Sequence, residues 1–174
     1  MTYKHLSFVS LFAVAALSAS AQRNVENFNF GWQFHRGNID VTAINTSDGS
    51  WETINVPHDF QISQPWVAPA ANESEDNSDG ASNFKSRLSA RGFKEMGDGW
   101  YVKTYTPAAD MKGRRILLDF EGIMYVGDVY LNGKRIGGTD YGYLGFDIDV
   151  SKLLKYGQAN TIAVHASTSG PLNS

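Results

Sequence analysis

Cysteine is absent from the 174-residue chain, which excludes disulfides and any lipid anchor formed on a cysteine thiol. A mature chain of about 150 residues buries enough apolar surface to do without disulfide staples. Long hydrophobic runs are also missing. The most apolar stretch, Leu6 to Leu17, is about a dozen residues, well short of the roughly 20 that a spanning helix needs. Positive charge is in short supply, with 15 Lys and Arg against 18 Asp and Glu and a net charge of -3, so a nucleic-acid partner has little electrostatic support. There is no internal repeat and no heptad pattern. No serine sits in a G-x-S-x-G elbow and no glycine run has the form of a phosphate loop.

What stands at the amino terminus reads as a targeting signal. Lys4 and His5 precede Leu6 to Leu17, and Ala19-Ser20-Ala21 follows as a small-x-small cleavage site, so residues 1-21 read as a secretory signal peptide, with a retained membrane anchor as the alternative. The expected compartment is the periplasm or the extracellular space. No other stretch is apolar enough to span a membrane, and the length of the remainder, residues 22-174, implies one domain.

The clearest structural signal lies between Arg115 and Thr139. Asn132-Gly133, a pair suited to the positive φ of a two-residue turn, joins Val129-Tyr130-Leu131 to Lys134-Arg135-Ile136 and predicts a β-hairpin. Upstream, Ile116, Leu118 and Phe120 alternate with Leu117, Asp119 and Glu121, so this half-buried strand is expected beside the hairpin. Phe28, Phe30, Trp32 and Phe34 recur with period two and predict a first strand. Trp51, Ile54 and Val56 mark a second, ending at Pro57, which has no amide hydrogen for a ladder. Trp100 to Thr106, nearly all aromatic or β-branched, predicts another. Phe146, Ile148 and Val150 predict a strand, Ser151 to Lys155 a helical turn capped by Ser151, and Asn160 to Ala166 a last strand with Ile162, Val164 and Ala166 inward. Short strands, almost no helix and frequent turns read as an all-β antiparallel jelly-roll sandwich of about eight strands.

From Val67 to Gly92 the pattern dissolves into an acidic cluster of Glu73, Glu75, Asp76 and Asp79 followed by Lys85, Arg87, Arg91 and Lys94. The acidic cluster lacks the D-x-D-x-D-G spacing of a calcium loop and reads as solvated, so no metal and no cofactor is expected. A glycosidase needs two carboxylates at fixed separation, one desolvated, and a glutamate such as Glu73 in a polar loop offers neither. His58-Asp59 is the most suggestive pair. Neighbours in extended backbone point to opposite faces, however, and a turn whose side chains bond nearby backbone is the plainer reading. His35 and His165 stand alone. No complete catalytic constellation is present.

Taken in order, Phe30-Gly31-Trp32-Gln33-Phe34, Trp51 to Phe60 with Pro57-His58-Asp59, Gly99-Trp100-Tyr101-Val102-Lys103, Leu118-Asp119-Phe120-Glu121-Gly122, Val129 to Lys134 and Asn160 to Val164 resemble the N-terminal sugar-binding domain of glycoside hydrolase family 2, the group of β-galactosidases, β-glucuronidases and β-mannosidases. Phe60 stands where the family's P-H-D-W pattern has tryptophan. The resemblance implies a jelly roll followed in the same polypeptide by an immunoglobulin-like domain and a (β/α)8 barrel that carries the two catalytic glutamates, so residues 22-174 read as truncated before those domains. It also implies a non-catalytic chain with Asp59, Asp98 and Trp100 at the rim of a sugar pocket, Trp100 serving either as a stacking platform or as core. The expected partners are a β-galactoside-type glycan and the catalytic domains. A free-standing lectin-like module and a structural interaction domain remain as alternatives.

Overall fold

A computed structural model of the chain describes residues 23–67 and 93–168. The expected signal peptide and the acidic cluster, with Lys85, Arg87 and Arg91, lie outside the described residues. Within them are eight strands: β1 (Trp32–Arg36), β2 (Glu52–Ile54), β3 (Asp98–Tyr105), β4 (Leu117–Phe120), β5 (Val126–Leu131), β6 (Lys134–Thr139), β7 (Phe146–Asp149) and β8 (Asn160–Ser167). Six form one antiparallel sheet in the order β2-β1-β3-β8-β5-β6, and β4 pairs with β7 in a second. Helical structure among the described residues is confined to short 3-10 turns at Val41–Ala43 and Ala109–Met111. The fold is the antiparallel jelly-roll sandwich that the strand pattern predicts.

Period-two patterning sets the main core. Trp32 and Phe34 of β1, Tyr101 of β3, Val129 and Leu131 of β5 and Ile162, Val164 and Ala166 of β8 face the small sheet, where Leu118, Phe120, Phe146 and Ile148 meet them. Val129 is 0% exposed. Gly137 of β6 allows the two layers to close, since a Cβ there would lie 2.6 Å from Ile148 Cδ1. The opposite face of the large sheet is covered as well. Trp100, Val102 and Ala163 are buried there beneath Ile39, Val41, Ile44 and Trp51 from the β1–β2 connection, so β3 and β8 carry buried apolar groups on both sides.

The hairpin forms as expected, with Asn132 at φ 52 and Gly133 at φ 80. The ladder slips between Val129 and Tyr130, so that Val129 faces Gly137 while Tyr130 faces Arg135. Three other expectations need correction. The strand Ile116 to Phe120 does not neighbour the hairpin: β4 pairs with β7, and β5 lies beside β8, because the segment after Gly122 carries the chain from one sheet to the other. The first strand starts at Trp32, since Gly31 at φ 71 breaks the alternation and leaves Phe30 exposed. Ser151 to Lys155 makes a turn and no helix. The amides of Leu153 and Leu154 both bond the Val150 carbonyl, and Ser151 Oγ accepts the Ile116 amide at 2.8 Å instead of capping.

Asn160, 1% exposed, closes that turn. Its Oδ1 accepts from the Lys155 amide at 2.9 Å and from Asn132 Nδ2 at 3.0 Å. Its Nδ2 donates to the carbonyls of Lys155 at 2.9 Å and Gln158 at 3.0 Å. Removing such a group strands several buried partners, each worth about 1–3 kcal/mol when left unsatisfied. Asn160→Ala is therefore expected to lower stability by roughly 3 kcal/mol in urea denaturation, whereas Asn45→Ala, whose side chain bonds only the exposed Ser47 amide, should shift it by well under about 1 kcal/mol.

Candidate functional site: an aromatic-rimmed cleft beside Asp59

The segment after β2 folds down over one end of the sandwich because Phe60 is driven into the core. It is buried against Phe34 and lies over Gly99, where a Cβ would come within 2.8 Å of Phe34 Cε2 and 3.1 Å of Phe60 Cε1. Phenylalanine therefore fills this place closely, and it fixes the residues on either side. His58 packs edge-on against Phe34, with its Nδ1 3.1 Å from the Tyr101 hydroxyl. Asp59 is exposed, and its Oδ1 accepts the Gln61 amide at 2.9 Å. The two side chains are thus separately engaged, and Asp59 makes the local turn expected of the plainer reading. Burial pushes the Tyr101 hydroxyl far above the ordinary tyrosine range, and the charge of Asp59 adds to the effect.

Asp59 opens onto a cleft of about 490 Å³ whose other walls are Gln61, Ile62, Trp66, Lys94, Met124 and Tyr125. An isolated antiparallel bridge between Trp66 and Lys94 forms its outer lip. Lys94 Nζ sits 4.1 Å above the Trp66 ring and donates to the Gln64 carbonyl at 2.8 Å. Arg36 braces the floor by bonding Gln64 Oε1 and Glu95, the latter at 3.1 Å. Met124 lies beneath the Tyr141–Gly145 loop, since a Cβ on Gly142 would meet its sulfur at 2.6 Å. The exposed apolar side chains Ile62, Trp66, Met124, Tyr141, Tyr143 and Leu144 therefore gather at this end. Trp66 is 72% exposed.

The three residues predicted for a rim do not meet in one place. Asp59 faces the cleft. Asp98 and Trp100 lie on the other face of the large sheet, where the β1–β2 connection covers Trp100. Trp100 is 6% exposed, with the rings of His165 and Tyr130 packed against it at 4.8 and 5.5 Å, and so packs as core instead of presenting a stacking face. Its Nε1 has no hydrogen-bond partner among the described residues. His165 is not solitary, contrary to its reading in sequence: Nε2 lies 2.9 Å from Asp98 Oδ1 and Nδ1 3.9 Å from Asp128 Oδ2, and Asp128 in turn accepts from Arg135 at 2.6 Å. Of the residues that line the cleft, sequence reasoning found Asp59 and missed Gln61, Ile62, Trp66, Lys94, Met124 and Tyr125. Trp66 precedes an unpatterned stretch, where no period tells an exposed aromatic from a buried one.

Among the described residues, the carboxylates whose titration is displaced all move downward. Hydroxyl hydrogen bonds from Thr42, Ser50 and Ser151, each reinforced by the backbone amide of the same residue, hold Asp40, Asp48 and Asp149 below the usual range. A glycosidase general acid needs the opposite shift. Among the described residues, no group of three or more His, Asp or Glu side chains is arranged to hold a metal ion.

Residues 85–170 match the family model described as glycosyl hydrolase 2 galactose-binding domain-like. The chain belongs to the galactose-binding-like N-terminal domains of glycoside hydrolase family 2. A β-glucuronidase of Formosa agariphila is 33% identical over 146 residues, which is 83% of this chain and 14% of that protein. A β-galactosidase of Bacteroides ovatus is 27% identical over 163 residues, 93% of this chain and 17% of that protein. The crystal structure of a family 2 member from Bacteroides cellulosilyticus superposes with a TM-score of 0.66 at 30% identity, over 83% of this chain and 18% of that one. The chain thus spans less than a fifth of these relatives.

In this family 2 domain the buried Tyr101 makes a testable contribution. Its hydroxyl ionises far less readily in the folded state than in an unfolded chain, where a tyrosine titrates near about pH 10. Stability linked to the neutral phenol is complete below about pH 10 and is lost as pH rises through the folded-state value, because the unfolded chain then releases the proton first. Urea denaturation at pH 9 and pH 11 should show this loss in the parent protein and a smaller loss in Tyr101→Phe.

Proposed function

We propose that this chain is the non-catalytic, sugar-binding N-terminal domain of an exported family 2 exo-glycosidase of β-galactosidase type. The whole polypeptide hydrolyses terminal β-galactosides by a retaining mechanism, and both reacting carboxylates come from a barrel outside this domain. The observation that carries the reading is the gathering of exposed aromatic and aliphatic side chains around a polar cleft at one end of the sandwich. An aromatic face beside a carboxylate and amides is the chemistry that holds a pyranose, with C–H groups on the ring and hydroxyls on the polar atoms. Apolar side chains at this density also suit contact with a neighbouring domain. In this arrangement Asp59 is the rim residue that touches sugar. Asp98 and Trp100 serve from behind by fixing the start of β3, against which the rim segments rest. The apolar stretch Leu6 to Leu17 and Ala19-Ser20-Ala21 support export.

The test is hydrolysis of a chromogenic β-galactoside by the purified chain, with carbohydrate binding followed in parallel on a glycan array. No chromophore release is the expected outcome, together with retention of galactoside-bearing glycans. Turnover by the chain alone would contradict the assignment of both carboxylates to another domain.

A further inference from the structure

We propose that the Asn132-Gly133 turn is a covalent modification site held in check by the fold: the Asn132 side-chain amide stays intact while the turn is clamped, and converts irreversibly to aspartate or isoaspartate once the turn opens.

Asn132-Gly133 is the one Asn-Gly pair in the chain. Such a pair carries its own reaction. The glycine nitrogen, unshielded by any side chain on its residue, attacks Cγ of the asparagine. A Cγ–N bond forms, the Cγ–Nδ2 bond breaks, and the side-chain nitrogen leaves as ammonia with the proton given up by the attacking amide. Water then opens the succinimide ring at either carbonyl, which yields aspartate or isoaspartate.

The fold withholds the geometry that the first step needs. Asn132 is exposed, and the turn residues sit at φ 52 and φ 80, but three hydrogen bonds tie Asn132 to the start of β8. Its backbone amide donates to the Thr161 carbonyl at 2.8 Å, its Oδ1 accepts the Thr161 amide at 3.1 Å, and its Nδ2 donates to Asn160 Oδ1 at 3.0 Å. The bond to Oδ1 polarises the carbonyl, which by itself favours attack. Position outweighs it, because both ends of the side-chain amide are held on β8 and Cγ has to swing to the Gly133 nitrogen. That motion breaks both side-chain bonds and takes a donor from Asn160, which is 1% exposed.

The products do not fit back into the clamp. An aspartate at this position sets an oxygen against Asn160 Oδ1, acceptor against acceptor. Asn160 is not free to turn over and meet it, since its own Nδ2 donates to the Lys155 and Gln158 carbonyls at 2.9 and 3.0 Å. Isoaspartate adds a methylene to the main chain of a two-residue turn whose type is set by its length. Opening of the hairpin is therefore recorded in the covalent structure, and it loosens the β7–β8 turn that Asn160 also holds.

Peptide mapping by mass spectrometry tests this, with conversion of Asn132 followed at mildly alkaline pH in the folded chain and in guanidinium chloride. Conversion in the folded chain is expected to be about tenfold or more slower, because only molecules with the turn open react. Asn160→Ala should speed conversion several-fold in protein that circular dichroism shows to be folded. Ile54→Ala, which removes a buried side chain at the far edge of the large sheet, should keep the parent rate and so controls for general destabilisation. Asn132→Asp, the counterpart of one product, should unfold at a lower guanidinium concentration than the parent, a comparison that stands even where Asn160→Ala fails to fold. Equal conversion in the folded and unfolded chains, or equal rates in folded Asn160→Ala and Ile54→Ala, would overturn the protective clamp. A parent-like midpoint for Asn132→Asp would overturn the claim that the product is shut out.

Discussion

β3 and β8 run antiparallel over eight paired positions, from Asp98 with Ser167 to Tyr105 with Asn160, and both are enclosed on two faces. Tyr101, Ile162, Val164 and Ala166 enter the main core, while Trp100, Val102 and Ala163 enter the second cluster. Fully burying a side chain of valine or isoleucine size contributes about 1.5–3 kcal/mol, so two-sided burial makes this pair the firmest part of the sheet. The neighbouring strands hang from it, with β1 and β2 on one side and β5 and β6 on the other. The price is that the back face needs its own cover, which the β1–β2 connection supplies.

That central pair also decides where the cleft lies. The start of β3, the end of β8 and the start of β5 arrive at one end of the sheet. There the Thr168 amide donates to the Gly97 carbonyl at 2.9 Å and the Gly97 amide to the Thr168 hydroxyl at 3.0 Å, and the Tyr125 amide bonds the Ser167 carbonyl at 3.0 Å. On the back face at this end, Asp98, His165, Asp128 and Arg135 form a polar row across β3, β8, β5 and β6. Phe60, seated over Gly99, then pins the Asp59 segment to the front. The cleft is thus built from loops but rests on strands that cannot easily shift. The second depression, lined by Val41, Thr42, Ile44 and the Asn132-Gly133 turn, lies at the opposite end of β5 and has no comparable aromatic rim.

Much of the fold was legible from local pattern, because alternation and turn chemistry act over a few residues. The Asn132-Gly133 hairpin, the inward set Ile162, Val164 and Ala166, and the strand at Phe146 to Val150 are all set at that range. What was not legible depends on distant residues. Nothing near Phe120 announces that the chain changes sheets after Gly122. Asp98 and His165 are 67 residues apart in sequence, so neither shows that it has a partner. Trp100 and Trp66 look equally available in sequence, yet one is buried against the rings of His165 and Tyr130 and the other stands open at the lip of the cleft. Asp59 was identified through its setting beside Pro57 and His58, but its neighbours Trp66 and Lys94 lie where no periodicity guides assignment.

Hydrogen–deuterium exchange on the folded chain tests the role of the doubly enclosed pair most directly. The account predicts that amides in the middle of β3 and β8, from Tyr101 to Lys103 and from Ile162 to Val164, exchange most slowly of all and open only with global unfolding. Those of β4 and β7, enclosed on one side, should exchange sooner. Equal or faster exchange in β3 and β8 than in β4 and β7 would contradict the claim that burial on both faces anchors the sandwich and its cleft.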